Sequence, residues 1–443
     1  MKTYFIRTYG CQMNELDSEV ISGLLEQRGL KASHDESLAD LIIFNTCSIR
    51  DLAERKALGK LGQVIRSRKD RPIIGIAGCM ATSKKETLFK KIPGIDFVIG
   101  PNNIHQLNYI LDHLEQERSP LCRTDPTFTH ELDYTMAKRE NPIKASVSII
   151  RGCNKRCTYC IVPFTRGPEV SRHPNDIINE CRDLASKGYK EIELLGQNVD
   201  SYGKDQPEWN MRFSDLLYHL DQIPDLLRIR FLTSHPVDIT RELMEAVRDL
   251  PKVCEFVHFP LQAGASRVLK KMNRHYSREE YDEKIALFKE ILPNVALGTD
   301  MIVGFPTETD GEFQESYEAL KTIRFAHAFL FAYSARKGAP AARWEDDIPK
   351  EIKEKRLRQL LEVQQSVSSD LMQEMIGQTV EVLVDGTSPK DPSMIRGRTR
   401  CWRNVIFPGS PDSIGTLQSV QITGFSHQTL FGKSYFPHNL YRS

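Results

Sequence analysis

The sequence predicts an α/β chain in three parts: an N-terminal parallel-sheet α/β domain, a central partial (β/α)6 barrel and a C-terminal small all-β barrel. Three observations carry this. Apolar, β-rich runs alternate with helix-like stretches over the first 120 residues; six more such runs alternate with helices between Lys144 and Ser334; and after Gly377 only short strands and turns remain. The length of 443 residues suits about three domains. An apolar fraction of 40% against 27% charged is globular and excludes a disordered chain. Lys plus Arg number 60 against 59 Asp plus Glu, so any nucleic-acid surface must be local. No apolar run reaches the roughly 18 residues of a membrane span. The start, Met1–Asp17, lacks the basic end and apolar stretch of a secretory signal, and a cytoplasmic location is expected.

In the first part, residues 1–120, three runs each end in cysteine: Thr3–Cys11, Ala39–Cys47 and Arg71–Cys79. The intervals of 36 and 32 residues between those cysteines match one βα unit each. Asn14–Arg28 carries Leu16, Val20, Ile21, Leu24 and Leu25 at helical spacing. A fourth run, Ile95–Ile99, ends at Gly100-Pro101. Residues 119–143 lack apolar periodicity and hold three prolines, and 121–143 reads as a linker. The second part, residues 144–372, contains the six runs Ala145–Cys153, Glu191–Val199, Arg228–Ser234, Val257–Ala263, Val295–Phe305 and His327–Ser334. Six units in about 200 residues suit an open barrel, smaller than the closed eight-unit form. Pro349–Ile376 reads as a charged amphipathic helix. The last part, residues 373–443, has the size and pattern of a small nucleic-acid-binding barrel.

Cysteine supplies the chemistry. Ten in a chain this long are too few for a disulfide scaffold. Cys153-Asn-Lys-Arg-Cys157-Thr-Tyr-Cys160 puts three soft thiolate donors in eight residues at the end of the barrel's first strand. Three can reach three corners of one [4Fe–4S] cube, leaving one iron open to a substrate or cofactor. The competing reading is a structural zinc site or a closed cluster, with Cys181 or Cys254 as fourth ligand. Cys11, Cys47 and Cys79 each follow a parallel strand, so they share the sheet edge where α/β folds bind ligands. Together they suggest a second three-cysteine cluster; singly, each reads as a small apolar core residue. Cys122, Cys181, Cys254 and Cys401 fit no such pattern.

The C-x3-C-x2-C, with Tyr159 before its last cysteine, resembles the radical S-adenosylmethionine (SAM) superfamily. Within it, the chain resembles the methylthiotransferases along nearly its whole length, the small β part being similar to their TRAM domain. The blocks that carry this are Thr8–Asn14 (TYGCQMN), Phe44–Arg50 (FNTCSIR), Gly78–Ala81 (GCMA), Arg151–Arg172, Leu194–Gly203 (LLGQNVDSYG) and Ile302–Thr309 (IVGFPTET). Gln12-Met13-Asn14 is similar to the branch that acts on isopentenyladenosine at position 37 of tRNA, where other branches read Pro-Lys-Asn or Lys-Val-Asn. The chain departs from the family at Ala263 and Ala265, where serine is more usual, and at Cys401-Trp402.

The resemblance implies two [4Fe–4S] clusters. The one on Cys153, Cys157 and Cys160 would bind SAM and, on reduction, cleave it to a radical that takes hydrogen from carbon 2 of the base. The one on Cys11, Cys47 and Cys79 would hold the sulfur that a first SAM methylates. Carbon 2 is an unactivated aromatic position, which is why cofactors rather than side chains must supply the chemistry. The resemblance also implies tRNA as partner through its anticodon loop, a reducing electron donor such as flavodoxin or ferredoxin, and a sulfur source. Gly196-Gln197 would contact the SAM amino group, Thr233-Ser234 its ribose or methionine part, and Tyr159 its adenine; the alternative for these polar groups is helix capping. His258 and Asp300 read more simply as hydrogen-bonded barrel residues. RNA contact is expected from Arg396, Arg398, Arg400 and Arg403, which lie in eight acid-free residues with Trp402 and near Phe407. Methylthio transfer to threonylcarbamoyladenosine and a non-catalytic iron–sulfur RNA-binding protein are the two alternatives.

Overall fold

The computed structural model describes residues 1–48, 51–67, 72–127 and 134–435. Ile49-Arg50 of the second sequence block, Arg71 of the third cysteine run, 128–133 of the expected linker and 436–443 of the last part lie outside the described residues.

The first sheet is wholly parallel and has six strands: β1 (Thr3–Tyr9), β2 (Lys31–Ala32), β3 (Leu41–Thr46), β4 (Ile73–Gly78), β5 (Phe97–Ile99) and β6 (Leu121–Arg123). They lie in the order β2-β1-β3-β4-β5-β6. β3 and β4 are buried along their whole length, which explains their unbroken apolar runs. Helix α1 (Gln12–Gln27) buries Leu16, Val20, Ile21 and Leu25 against one face. Leu121–Arg123, expected in a linker, instead closes the sheet by pairing with β5. The rest of that stretch is tied down as well: Arg139 ion-pairs with Glu19 of α1 and with Glu180 of the barrel helix Pro174–Ser186.

The barrel has the six expected strands in two parallel triplets. β7 (Lys144–Ser148), β10 (Glu191–Leu195) and β11 (Arg228–Phe231) form one, with the short antiparallel pair β8 (Ile150–Arg151) and β9 (Val170–Ser171) beside it. β12 (Phe256–His258), β13 (Ala296–Val303) and β14 (His327–Ala332) form the other. A parallel bridge from Ile229 to Val253 joins the triplets. On β13, Leu297, Met301 and Val303 pack outward against the helices, while Gly298, Asp300 and Ile302 face the interior opposite His327, Phe329 and Phe331. The long helix Lys350–Glu374 packs against β14 and leads to a closed five-stranded barrel. Its strands are β15 (Thr379–Thr387), β16 (Met394–Thr399), β17 (Asn404–Pro408), β18 (Leu417–Ser426) and β19 (Thr429–Ser434).

The first domain meets the barrel at the carboxyl ends of its strands, through Arg151 and Arg166. The small barrel meets the opposite mouth: Arg228, which opens β11, donates to the Arg398 and Glu381 carbonyls. The lumen thus has one mouth facing the cysteines and one stopped by the β16–β17 turn.

Candidate active site

The upper mouth collects the cysteines. Cys11 precedes α1, Cys47 follows β3 and Cys79 begins the short helix after β4, so all three lie at one edge of one sheet. A polar lattice fixes that edge. Asn45 donates to the Asn14 carbonyl and Ser18 Oγ, each at 2.8 Å, and Asn14 Nδ2 donates to Asn45 Oδ1 at 3.1 Å. Gly78 sits at φ +90°, and a Cβ there would stand 2.4 Å from Asn45 Oδ1 and from the Thr46 carbonyl, so only glycine fits before Cys79. The neighbouring Cys47 thiol and the Arg166 charge bring Cys11 down to about 6 against the pull of burial. Burial pushes the Cys79 thiol up, with Arg166 opposing.

The second trio lies in the loop after β8. The Thr158 N–H donates to the Met272 carbonyl at 3.0 Å, and Asn273 Nδ2 to the Arg156 carbonyl at 2.8 Å. The buried Arg274 donates to Cys157 Sγ at 3.3 Å, to the Tyr159 hydroxyl at 3.4 Å and to the Pro260 carbonyl at 3.3 Å. Burial, above all other causes, drives Cys153 and Cys160 each up to about 12. Both are thiols at neutral pH until a metal displaces their protons.

The donor chemistry of each trio fits an iron–sulfur cluster with one open iron. Among the described residues, no three His, Cys, Asp or Glu converge tightly enough to hold a single metal ion; the thiolates of a cube go to different irons and need no such convergence. Neither suggested fourth ligand is near. Cys181 is buried in the core of helix Pro174–Ser186, and Cys254 lies at the lower mouth among Arg230, Arg228 and Arg400.

Arg151 and Arg166 join the trios. Arg166 follows the second trio by six residues, yet its guanidinium donates to Asp17 of α1 at 2.7 Å and faces Cys79 and Cys11. Arg151 donates to the other Asp17 oxygen at 3.4 Å and to the Tyr134 hydroxyl at 2.8 Å. All three are almost wholly buried. Sequence reasoning missed Arg166 and Arg274, because one buried arginine has no periodicity and no spacing to betray it.

The other expected contacts are engaged within the protein. Gln197 Oε1 accepts from the Gly152 N–H at 2.5 Å, bracing the cysteine loop. A Cβ at Gly196 would stand 2.5 Å from Ile150. Ser234 Oγ donates to Asp200 at 3.2 Å, and burial lifts that carboxyl to about 7. Thr233, at φ +73°, offers its carbonyl to the Val199 N–H. These bonds brace the loops around the second trio, a role closer to the capping alternative. His258 and Asp300 pair at 3.2 Å inside the lumen, beside Phe329.

The arginine cluster requires a correction. Only Arg396 and Arg398 share the outer face of β16; the alternation ends at Thr399, where the chain turns. Arg400 donates to Glu255 and to the Pro251 and Val253 carbonyls of the large barrel. Arg403 is 3% exposed, and Phe407 is core. Trp402, at φ +69°, packs on Phe256 at 5.3 Å between the guanidinium groups of Arg230 and Arg398. Three of the five expected RNA contacts are therefore built into a joint between domains, leaving Arg396 exposed on an ion pair with Asp385.

Residues 3–100 match a family model described as uncharacterized protein family UPF0004, residues 147–320 that of the radical SAM superfamily and residues 373–434 that of the TRAM domain. The chain is 61% identical to a tRNA-2-methylthio-N(6)-dimethylallyladenosine synthase from Protochlamydia amoebophila, over 98% of this chain and 96% of that protein. It is 44% identical to a synthase of the same name from Clostridium botulinum strain Hall, over 97% and 96%. Among solved structures, the radical SAM methyltransferase TsrM from Kitasatospora setae superposes with a TM-score of 0.56 at 14% identity, covering 77% of this chain and 75% of that one. The radical SAM enzyme OxsB gives 0.51 at 13%, covering 82% and 56%. Those two share the fold.

Proposed function

The chain belongs to the tRNA-2-methylthio-N(6)-dimethylallyladenosine synthase family of radical SAM methylthiotransferases, and from this we propose that it transfers a methylthio group to carbon 2 of N6-isopentenyladenosine at position 37 in the anticodon loop of tRNA. Its cofactors are SAM and two [4Fe–4S] clusters. The observation that carries the residue assignment is the pair of three-cysteine groups meeting at one barrel mouth across Asp17 and Arg166.

Cys153, Cys157 and Cys160 hold the SAM-binding cluster, and Cys11, Cys47 and Cys79 the sulfur-bearing one. Bound there, the groups supply one-electron cleavage of SAM and a transferable sulfur, chemistry no side chain offers. The chain's own share is positioning. Gln197 holds the loop before Cys153 through Gly152. Arg274 braces Cys157 and Tyr159. Asp238 collects Lys155, Lys204 and Asn198, keeping the loops after β8, β10 and β11 in fixed relation. The base must leave its stack to enter the mouth. Arg396 and Arg398 remain candidates for phosphate contact, with Arg400, Trp402 and Arg403 acting through the joint they form. A low-potential donor such as flavodoxin or ferredoxin, an external sulfur source and a cytoplasmic setting complete the reading; no helix among the described residues is long and apolar enough to cross a membrane.

The test is mass spectrometry of tRNA nucleosides from cells with and without the gene. Loss of the methylthio derivative with accumulation of isopentenyladenosine is expected. Loss of the methylthio group from threonylcarbamoyladenosine instead would move the substrate to the other branch. Unchanged nucleosides, with both precursors present and no second enzyme, would favour the non-catalytic reading.

A further inference from the structure

Arg166 has more donors than its carboxylate partner uses. Its Nη2 donates to Asp17 at 2.7 Å, but Asp17 also accepts from Arg151. One carboxylate thus serves two guanidinium groups in a buried site. Arg166 is 2% exposed, and its buried Nη1 has no well-aligned acceptor, although the guanidinium also reaches the Cys79 thiol. A buried donor of that kind is costly unless something accepts from it. What it faces is the Cys11 and Cys79 pair. Its main chain is fixed too, because Asn102 donates to the Arg166 carbonyl at 3.1 Å and the Gly167 carbonyl accepts from the Cys153 N–H.

We propose that Arg166 is the positioning residue for the transferable sulfur: Nη2 is anchored on Asp17, and Nη1 donates to the sulfur anion carried at the open corner of the cluster on Cys11, Cys47 and Cys79. The ligand class is a sulfide or alkylthiolate anion. A planar fork spans the two acceptors with two nitrogens in a fixed geometry, whereas a lysine brings a single, more strongly hydrated point charge on a flexible stem. Arg166 follows Cys160 by only six residues, so the loop that holds one cluster also aims the sulfur of the other. This rests on the cluster assignment proposed above.

The test uses anaerobically reconstituted holoenzyme and sodium methanethiolate as probe, read by the electron paramagnetic resonance of the reduced sulfur-bearing cluster. Wild type is expected to show a saturable spectral shift, and Arg166→Lys the same iron content of about eight per chain with roughly tenfold weaker binding. Equal affinity in the two proteins, both fully loaded, overturns the proposal. A second measurement needs no variant: wild type carrying 15N-guanidino arginine should gain a nitrogen hyperfine coupling when methanethiolate is added. Absence of that coupling, with the spectral shift present, also overturns it. A wild-type protein with two clusters and no spectral response would instead refute sulfur binding at this cluster, which is a failure of the cluster assignment and not of Arg166.

Discussion

The two mouths of the large barrel are both lined with buried arginine, and they use it in opposite ways. At the lower mouth, Arg228, Arg230 and Arg400 donate mainly to carbonyls and carboxylates of neighbouring domains: Arg230 to Glu191, Thr399 and Arg400, Arg400 to Glu255, Pro251 and Val253. At the upper mouth, Arg166 and Arg151 share one aspartate; Arg151 also donates to the Tyr134 hydroxyl and the Pro101 carbonyl, while Arg166 faces thiols. The lower set is a joint, and the upper set is a site. Burial alone does not distinguish them; what the guanidinium nitrogens find does.

The largest effects that test this contrast lie at the upper mouth. Cys157→Ala is expected to reduce SAM cleavage to background, measured as 5′-deoxyadenosine formed by reduced protein; retained cleavage would sink the cluster assignment. Cys47→Ala should keep cleavage within about twofold while methylthio product falls to background, and a wild-type yield would remove the other trio from the reaction. Asp17→Ala leaves two buried cations without their carboxylate. A loss of about 3–5 kcal/mol in unfolding free energy is expected, read from the denaturation midpoint.

Smaller effects belong to the joint. His327 faces Phe256 and the turn carrying Trp402 and Arg403, and burial lowers its pKa to about 4. The unfolded chain then binds more protons than the folded one between pH 6.5 and 4, so stability is full above 6.5 and falls with pH through that window, by at most about 3 kcal/mol. His327→Gln should flatten that dependence in pH-resolved melting; an unchanged slope would place the acid sensitivity elsewhere. Smallest, Arg396→Ala should lower the salt dependence of tRNA binding by about one unit of slope with stability unchanged within about 0.5 kcal/mol. Arg400→Ala should do the reverse, costing about 2 kcal/mol with the salt slope intact. If Arg400 changed the slope instead, the turn would be an RNA surface after all.

The same contrast explains what the sequence disclosed. Strands of the barrel were legible, even the three-residue β12, because each falls in a strand-like run of seven or more residues that alternates with helix. β2 and β6, two and three residues long, offer too little pattern to see, and β19 follows its partner after only His427-Gln428, a turn that carries no strong hairpin signal. The cysteines were legible because chemistry fixes their type and local spacing. The arginines were not: Arg400 looks continuous with the alternation of Arg396 and Arg398, and only the strand's end at Thr399 and the positive φ at Trp402 reveal that the chain has turned. The unusual Cys401-Trp402 acquires a reason in the structure, since the indole packs on Phe256 at the floor of the lumen. Ala263 and Ala265 are buried in the barrel core, where a serine hydroxyl would need a partner.

Docking the small barrel at one mouth while the cysteines gather at the other also sets a length. Strands of five to eight residues separate the two, a height of about 20 Å once their tilt is counted. A nucleic acid held by the outer face of β16 must reach past the barrel wall before one of its bases enters the upper mouth. A free nucleoside is too short to touch both places at once; a folded stem and loop is not. With RNA held there, the molecule would act as a calliper, sensing the length of its substrate before any bond is made.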